Sequence, residues 1–97
     1  TDDFTVGCYN LAEKKYHPNR FTGDFEIVSL TGTINTMNGE YYSHLHLSAG
    51  NRKGEVFGGH LTGAVISVTG EIVITVINGR TDRRFCEECG INKLDFS

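Results

Sequence analysis

Apolar residues recur at every second position through much of this chain, a period that suits strands with one face on a core and does not suit helices. Twelve glycines in 97 residues point the same way, since each glycine inside a helix costs about 1 kcal/mol. Phe21 to Thr36 reads as one long strand with a bulge at Gly32. It would carry Phe25, Ile27 and Ser29 on one side and Glu26, Val28 and Leu30 on the other. Asn38-Gly39 follows, two residues that tolerate the positive φ of a type I′ hairpin turn, so the next strand, Glu40 to Ala49, should pair antiparallel to the last. Within it Tyr42, His44, His46 and Ser48 share one face, and Tyr41, Leu45 and Leu47 share the other.

The flanking segments extend the pattern. Phe4 to Tyr9 is a short strand with Val6 and Cys8 on one side, followed by a polar connection to a turn at Pro18-Asn19. Glu55 to Phe57 is a short strand ending in a Gly58-Gly59 turn, with His60 directly after it. Val65 to Ile77 is the most apolar stretch, rich in β-branched side chains, and is expected to be the central strand. Beyond Asn78 the chain is polar until Leu94 and Phe96, which could dock as a last edge strand. No repeat or linker divides residues 1–97, so a single domain is expected. A chain this short hides only roughly 60 to 65% of its unfolded surface, so its core is thin and self-association is expected.

Charge narrows the partners. Nine Lys and Arg against twelve Asp and Glu give a net charge of -3, which works against unaided binding to DNA. No apolar run approaches the roughly 20 residues that span a bilayer, and the start TDDFTVGCYN has no signal-peptide layout. Three cysteines, with Cys86 and Cys89 three apart, do not make a secreted disulfide framework, so a cytoplasmic location is expected. Their CxxC spacing lacks both the second ligand pair of a zinc ribbon and the helix of a thioredoxin-like site, which leaves a plain turn as the reading.

Three of the four histidines fall within seventeen residues. His44 and His46, two apart on one strand face, have Cβ atoms about 7 Å apart, and a third histidine, His60, on a neighbouring strand would complete a facial set of three. Such a set suits Zn or another divalent transition metal, with an open position for water or a small ligand. The alternative is a solvated or interface-facing strand with His60 capping a turn. Glu71 interrupts an apolar strand, where it would be a fourth ligand, an acceptor orienting a histidine N–H, or a general base; otherwise it faces water at Gly70. His17 has no assigned role. Arg80, Arg83 and Arg84 around Asp82 form the basic cluster, able to touch phosphate or an acidic subunit surface, or else to lie solvated at a hairpin end. No nucleotide-phosphate loop, GxSxG elbow or HExxH motif is present.

Read together, GDFEIVSLTGTI (Gly23 to Ile34), HLHLSAGNRKGEVFGGHL (His44 to Leu61) and GEIVITV (Gly70 to Val76) resemble the plants-and-prokaryotes-conserved (PPC) domain, over about residues 4 to 96. The resemblance implies an α+β fold built on a mainly antiparallel sheet, assembly as a homotrimer, and metal ligation by His44, His46 and His60, as in metal-containing members. Prokaryotic members stand alone and often carry a provisional DNA-binding label, whereas plant members pair the domain with an AT-hook. The AT-hook core Arg-Gly-Arg-Pro is absent, and Asp24 replaces the arginine of the plant GRFEI-type motif at Gly23 to Ile27. The family pattern also places a helix and further strands ahead of the segment equivalent to Phe4, so an N-terminally shortened chain is expected.

Three functions follow as expectations. The first is a DNA-binding or regulatory protein of the PPC type, a trimeric module with a three-histidine metal site. The second is a metal-dependent enzyme in which zinc on His44, His46 and His60 activates water or a carbonyl of a small-molecule substrate, with Glu71 or Tyr42 moving protons. The third is direct DNA contact through Arg80, Arg83 and Arg84, which the charge disfavours.

Overall fold

The computed structural model describes residues 1–96 as one seven-stranded sheet. Its strands are β1 (Asp3–Asn10), β2 (Lys15–Thr22), β3 (Glu26–Met37), β4 (Glu40–Gly50), β5 (Val56–Val65), β6 (Asp82–Cys86) and β7 (Ile91–Asp95), ordered β2-β1-β5-β4-β3-β6-β7. All neighbours are antiparallel except β3 and β6, which meet in parallel at Thr36 and Asp82. The expected mainly antiparallel sheet is present, but the helical half of the α+β expectation is not: no helix occurs among the described residues.

The Asn38-Gly39 turn forms as the sequence predicts, with φ of 54° and 78°, and it sets β3 against β4 from Met37↔Glu40 onward. Other local expectations fail for identifiable reasons. The strand read as Phe21 to Thr36 breaks at Gly23, so Phe21 closes β2 and pairs with Phe4. Pro18 lies within β2 opposite Gly7 and makes no turn; β2 is an edge strand, where a missing N–H is tolerated. The turn between β1 and β2 is made instead by Leu11 to Lys14, with Lys14 at φ 54°.

The bulge falls at Val28, between Ile27↔Ala49 and Ser29↔Ser48, while Gly32 stays in register with Leu45. It shifts the alternation by one residue. Ile27 and Ser29, expected on one face, therefore face opposite sides, and Ser29 Oγ meets Ser48 Oγ at 2.8 Å. Gly58 and Gly59 do not turn the chain either; they run inside β5, between β1 and β4. A Cβ on Gly58 would stand 2.6 Å from the Leu47 carbonyl oxygen, and one on Gly59 would stand 2.7 Å from that of Gly7. Absent side chains let three strands close up there.

The largest correction concerns Val65 to Ile77. Only Val65 belongs to a strand; residues 66 to 80 are irregular and exposed, with Val73 at 94% and Val76 at 86%. The sheet already packs its apolar face without this segment. Phe4, Val6, Leu47 and Ala49 form the buried core, packed by Phe21, Phe25, Leu30 and Leu61. Phe4 stacks on Phe21 at 5.1 Å between ring centroids and meets Phe25 edge-on at 5.0 Å, and Phe57 continues the stack from Phe21 at 4.7 Å.

The other face curls. Tyr9 of β1 donates its hydroxyl to the Cys89 carbonyl, and Lys14 Nζ donates to the Glu87 carbonyl at 3.0 Å, so the β6–β7 turn reaches back to the opposite end of the strand order. The sheet is thereby bent around its polar face.

The glycine packing gives a comparison within one strand. Gly59→Ala should destabilise by about 1–3 kcal/mol, whereas Gly63→Ala, with open space around its Cβ position, should change stability by less than about 1 kcal/mol. Urea denaturation of the two variants measures the difference.

Candidate metal centre

The register of β5 on β4 places His60 directly opposite His46, and strand alternation puts His44 two residues away on the same face. The ring centroids lie 5.1 Å apart for His44–His46, 5.1 Å for His44–His60 and 5.8 Å for His46–His60. One nitrogen from each ring lies within 4.8 Å of the others, with no carboxylate or thiol in the group. His44 and His60 are half-buried and His46 is exposed, so the group opens to solvent on one side.

Burial holds the pKa of His44 and of His60 below the ordinary histidine value. The Arg83 charge adds to this at His44, and His46 and Arg83 add to it at His60. Both rings are therefore biased to the neutral form, which has a lone pair to give. His60 Nδ1 is buried and has no hydrogen-bond partner. A buried ring nitrogen without a partner costs stability unless something fills it, and a transition-metal ion does so at an imidazole donor. Three imidazoles, one with that orphan nitrogen, fit such an ion. The spacing alone had left this arrangement open against a solvated strand face.

A cleft of about 160 Å³ adjoins the histidines. Tyr16 stacks near His60 at 4.8 Å, Tyr42 and His44 form the adjoining wall, and Phe85, Ile91 and Asn92 come from the returning β6–β7 hairpin. Tyr42 Oη accepts a hydrogen bond from Asn92 Nδ2 at 3.1 Å, and the Arg83 guanidinium lies 5.1 Å from the centre of the Tyr42 ring. A wider hollow of about 350 Å³ between Thr22–Phe25 and Asn51–Glu55 lies away from the histidines; the Arg52–Asp24 ion pair lines it, and it gathers no ligand set.

The remaining sequence candidates separate from this centre. Glu71 is exposed in the irregular segment and does not join the histidine group. The arginine cluster is dispersed. Arg83 is 8% exposed, donating through Nη1 to the Asn92 carbonyl at 2.9 Å and through Nη2 to Thr33 Oγ1 at 3.1 Å. Arg84 pairs with Asp95 at 3.4 Å, and Arg80 stands exposed outside the strands. Arg83 is therefore not a surface phosphate contact, because alternation along β6 turns it inward between two exposed neighbours, Asp82 and Arg84. The signal that could have found it is an arginine between two charged residues in a strand that also holds Phe85. His17 pairs with Glu13 at 2.9 Å on the exposed edge. Cys86 ends β6 and Cys89 lies within the β6–β7 turn, both as free thiols, and hydrogen bonding from Cys89 lowers the pKa of Cys86.

Comparison with solved structures places this fold among relatives. A structure from Bacteroides thetaiotaomicron, provisionally named a DNA-binding protein, superposes with a TM-score of 0.92 at 33% identity, covering 98% of this chain and 66% of the other. One from Ralstonia eutropha with the same provisional name gives 0.85 at 28% identity, covering 99% and 67%. A metal-containing protein from Archaeoglobus fulgidus gives 0.73 at 26% identity, covering 93% and 64%. The chain thus spans about two thirds of the length of these structures. No match emerges among curated protein sequences. The profile of the Plants and Prokaryotes Conserved (PCC) domain, the PPC domain of the sequence resemblance, matches residues 1–78. With four-fifths of its length matched and the fold shared, the chain belongs to the Plants and Prokaryotes Conserved domain family.

Proposed function

We propose that this domain is a self-associating binding module whose His44, His46 and His60 hold one divalent transition-metal ion, zinc being the ion best suited to three imidazoles and an open position. The observation that carries the reading is the convergence of three ring nitrogens within 4.8 Å, with His60 Nδ1 buried and unpartnered. When bound, the ion would supply a Lewis-acidic position facing the cleft. The name of the Archaeoglobus fulgidus relative, a metal-containing protein, supports the same reading.

A binding role is preferred to catalysis. Among the described residues no carboxylate lines the cleft, and Glu71, the expected proton carrier, lies outside the group. Tyr42 and Tyr16 are the hydroxyl-bearing side chains of the cleft wall. Association with DNA, which two relatives carry in their provisional names, would come to this chain through its assembly. Its own arginine cluster is split by the inward turn of Arg83, and its net charge is -3. Three free cysteines fit a reducing, cytoplasmic setting.

Self-association, as a homotrimer on the family pattern, is supported by surface area. A compact protein of 10.7 kDa exposes about 5,500 Å², and this chain exposes 7371 Å². Its radius of gyration of 15.1 Å likewise exceeds the about 13 Å of a compact chain this long. The excess is about twice the roughly 800 Å² that one standard interface removes from each partner, as two interfaces per chain would require, and Ile72, Ile74 and Val76 are among the apolar side chains exposed.

Three measurements test these points. Purified wild type should carry about one metal ion per chain by elemental analysis, and His46→Ala should lose nearly all of it; equal content in both would retire the site. Light scattering should give a trimer mass for wild type and a smaller species for an Ile74→Asp/Val76→Asp variant. For the metal-free protein the histidine pKa values are lower folded than unfolded, so the unfolded state binds more protons. The stability contributed by neutral His44 and His60 is present above the unfolded pKa of about 6.5 and is lost as pH falls below it toward the lowered folded values. Thermal unfolding should show a decline from about pH 7 to about pH 5, shallower in His60→Gln.

A further inference from the structure

We propose that the cleft beside the three histidines binds a small carboxylate with a short apolar tail, one carboxylate oxygen facing the histidine-held ion and the other accepting a hydrogen bond from Tyr42 Oη. The inference rests on the metal reading above and names the ligand class of the same site.

Charge is the first argument. The protein as a whole is acidic, with a net charge of -3, yet the cleft walls contain neither Asp nor Glu. Behind them lies Arg83, which cannot give up its proton and is more than nine-tenths buried. Its hydrogen bonds run to neutral oxygens, the Asn92 carbonyl and Thr33 Oγ1, and its Nε has no partner. Asp82, its neighbour on the same strand, is engaged with Thr36. A buried cation hydrogen-bonded to neutral oxygens is costly, and a divalent ion on three imidazoles adds to the excess of positive charge. An anion in the cleft offsets both.

Hydrogen-bond inventory is the second. Tyr42 Oη already accepts from Asn92 Nδ2, so its own proton is available to donate. Arg83 over the Tyr42 ring keeps that hydroxyl in a positive field, which strengthens donation to an anionic oxygen.

Shape and wall chemistry choose among anions. About 160 Å³ equals the liquid-volume share of about five waters, enough for a ligand of a few heavy atoms. Phe85 and Ile91 supply an apolar wall that a hydrocarbon tail would cover and a phosphate would not. Phosphate cradles are built from helix N-termini or runs of backbone N–H groups, and no helix occurs among the described residues.

The test uses the Co(II)-loaded chain of residues 1–97, whose visible spectrum reports the metal's ligands, titrated with propionate and with the neutral isostere propionamide. The expected result is a saturable spectral change with propionate, little with propionamide, and affinity lower by about tenfold or more in Tyr42→Phe. Equal responses to propionate and propionamide, or wild-type affinity in Tyr42→Phe, would overturn the carboxylate assignment. A Co(II) spectrum that is lost in His46→Ala but unmoved by propionate in wild type would overturn it while leaving the metal reading in place. Identical Co(II) spectra in wild type and His46→Ala would overturn both.

Discussion

The fit of β5 between β1 and β4 controls everything built on the polar face. Two consecutive glycines, Gly58 and Gly59, let the neighbouring backbones approach to distances at which any Cβ would strike a carbonyl oxygen. That close approach fixes register, because a slip by one residue would bring a side chain into the space left for hydrogen, and would also turn the next residue to the opposite face. His60 follows the pair immediately, so the steric requirement at the glycines is also what sets an imidazole opposite His46. The geometry of the histidine group thus rests on missing atoms as much as on the imidazoles themselves.

The same sheet has an energetic problem that its composition cannot solve alone. One layer buries four apolar residues fully, and the apolar surface left over is concentrated in the segment after β5. Fixing each residue's backbone costs about 1–2 kcal/mol in conformational entropy, and burial of the apolar side chains of 66 to 77 would offset that cost only against a second surface. Formation of the sheet and covering of that segment are therefore coupled.

What could be read in the sequence follows from how local each signal is. The Asn38-Gly39 turn and the faces of β4 were legible, because turn chemistry and alternation act within a few residues; from them came the histidine pair on one face. The Gly58-Gly59 pair was misread as a turn, since glycine's freedom at φ > 0 and its lack of a side chain are both advertised by the same letter, and only the neighbouring strands decide which is used. Val65 to Ile77 failed for a different reason. Apolarity states that a residue gains by leaving water, and says nothing about whether the surface that covers it belongs to the same sheet. The strand β2 was hidden by Pro18, which is informative only once the strand is known to lie at an edge.

Arg83 shows why a cluster of like charges in sequence is a poor guide to a surface in space. Strand alternation separates Arg83 from Arg84 by sending them to opposite sides, so two adjacent arginines serve two environments, one paired with Asp95 in water and one held beneath Tyr42. The inward arginine then does what a surface arginine cannot. Burial is the main cause that holds both cleft histidines toward the neutral form, and the Arg83 charge adds to it. The groups differ in kind: a permanently charged guanidinium at the back, neutral donors at the rim, and a hydroxyl between them. The hairpin that carries Arg83 returns to β1 through Tyr9 and Lys14, so the curvature of the sheet is what brings the permanent charge and the ligand set into one field.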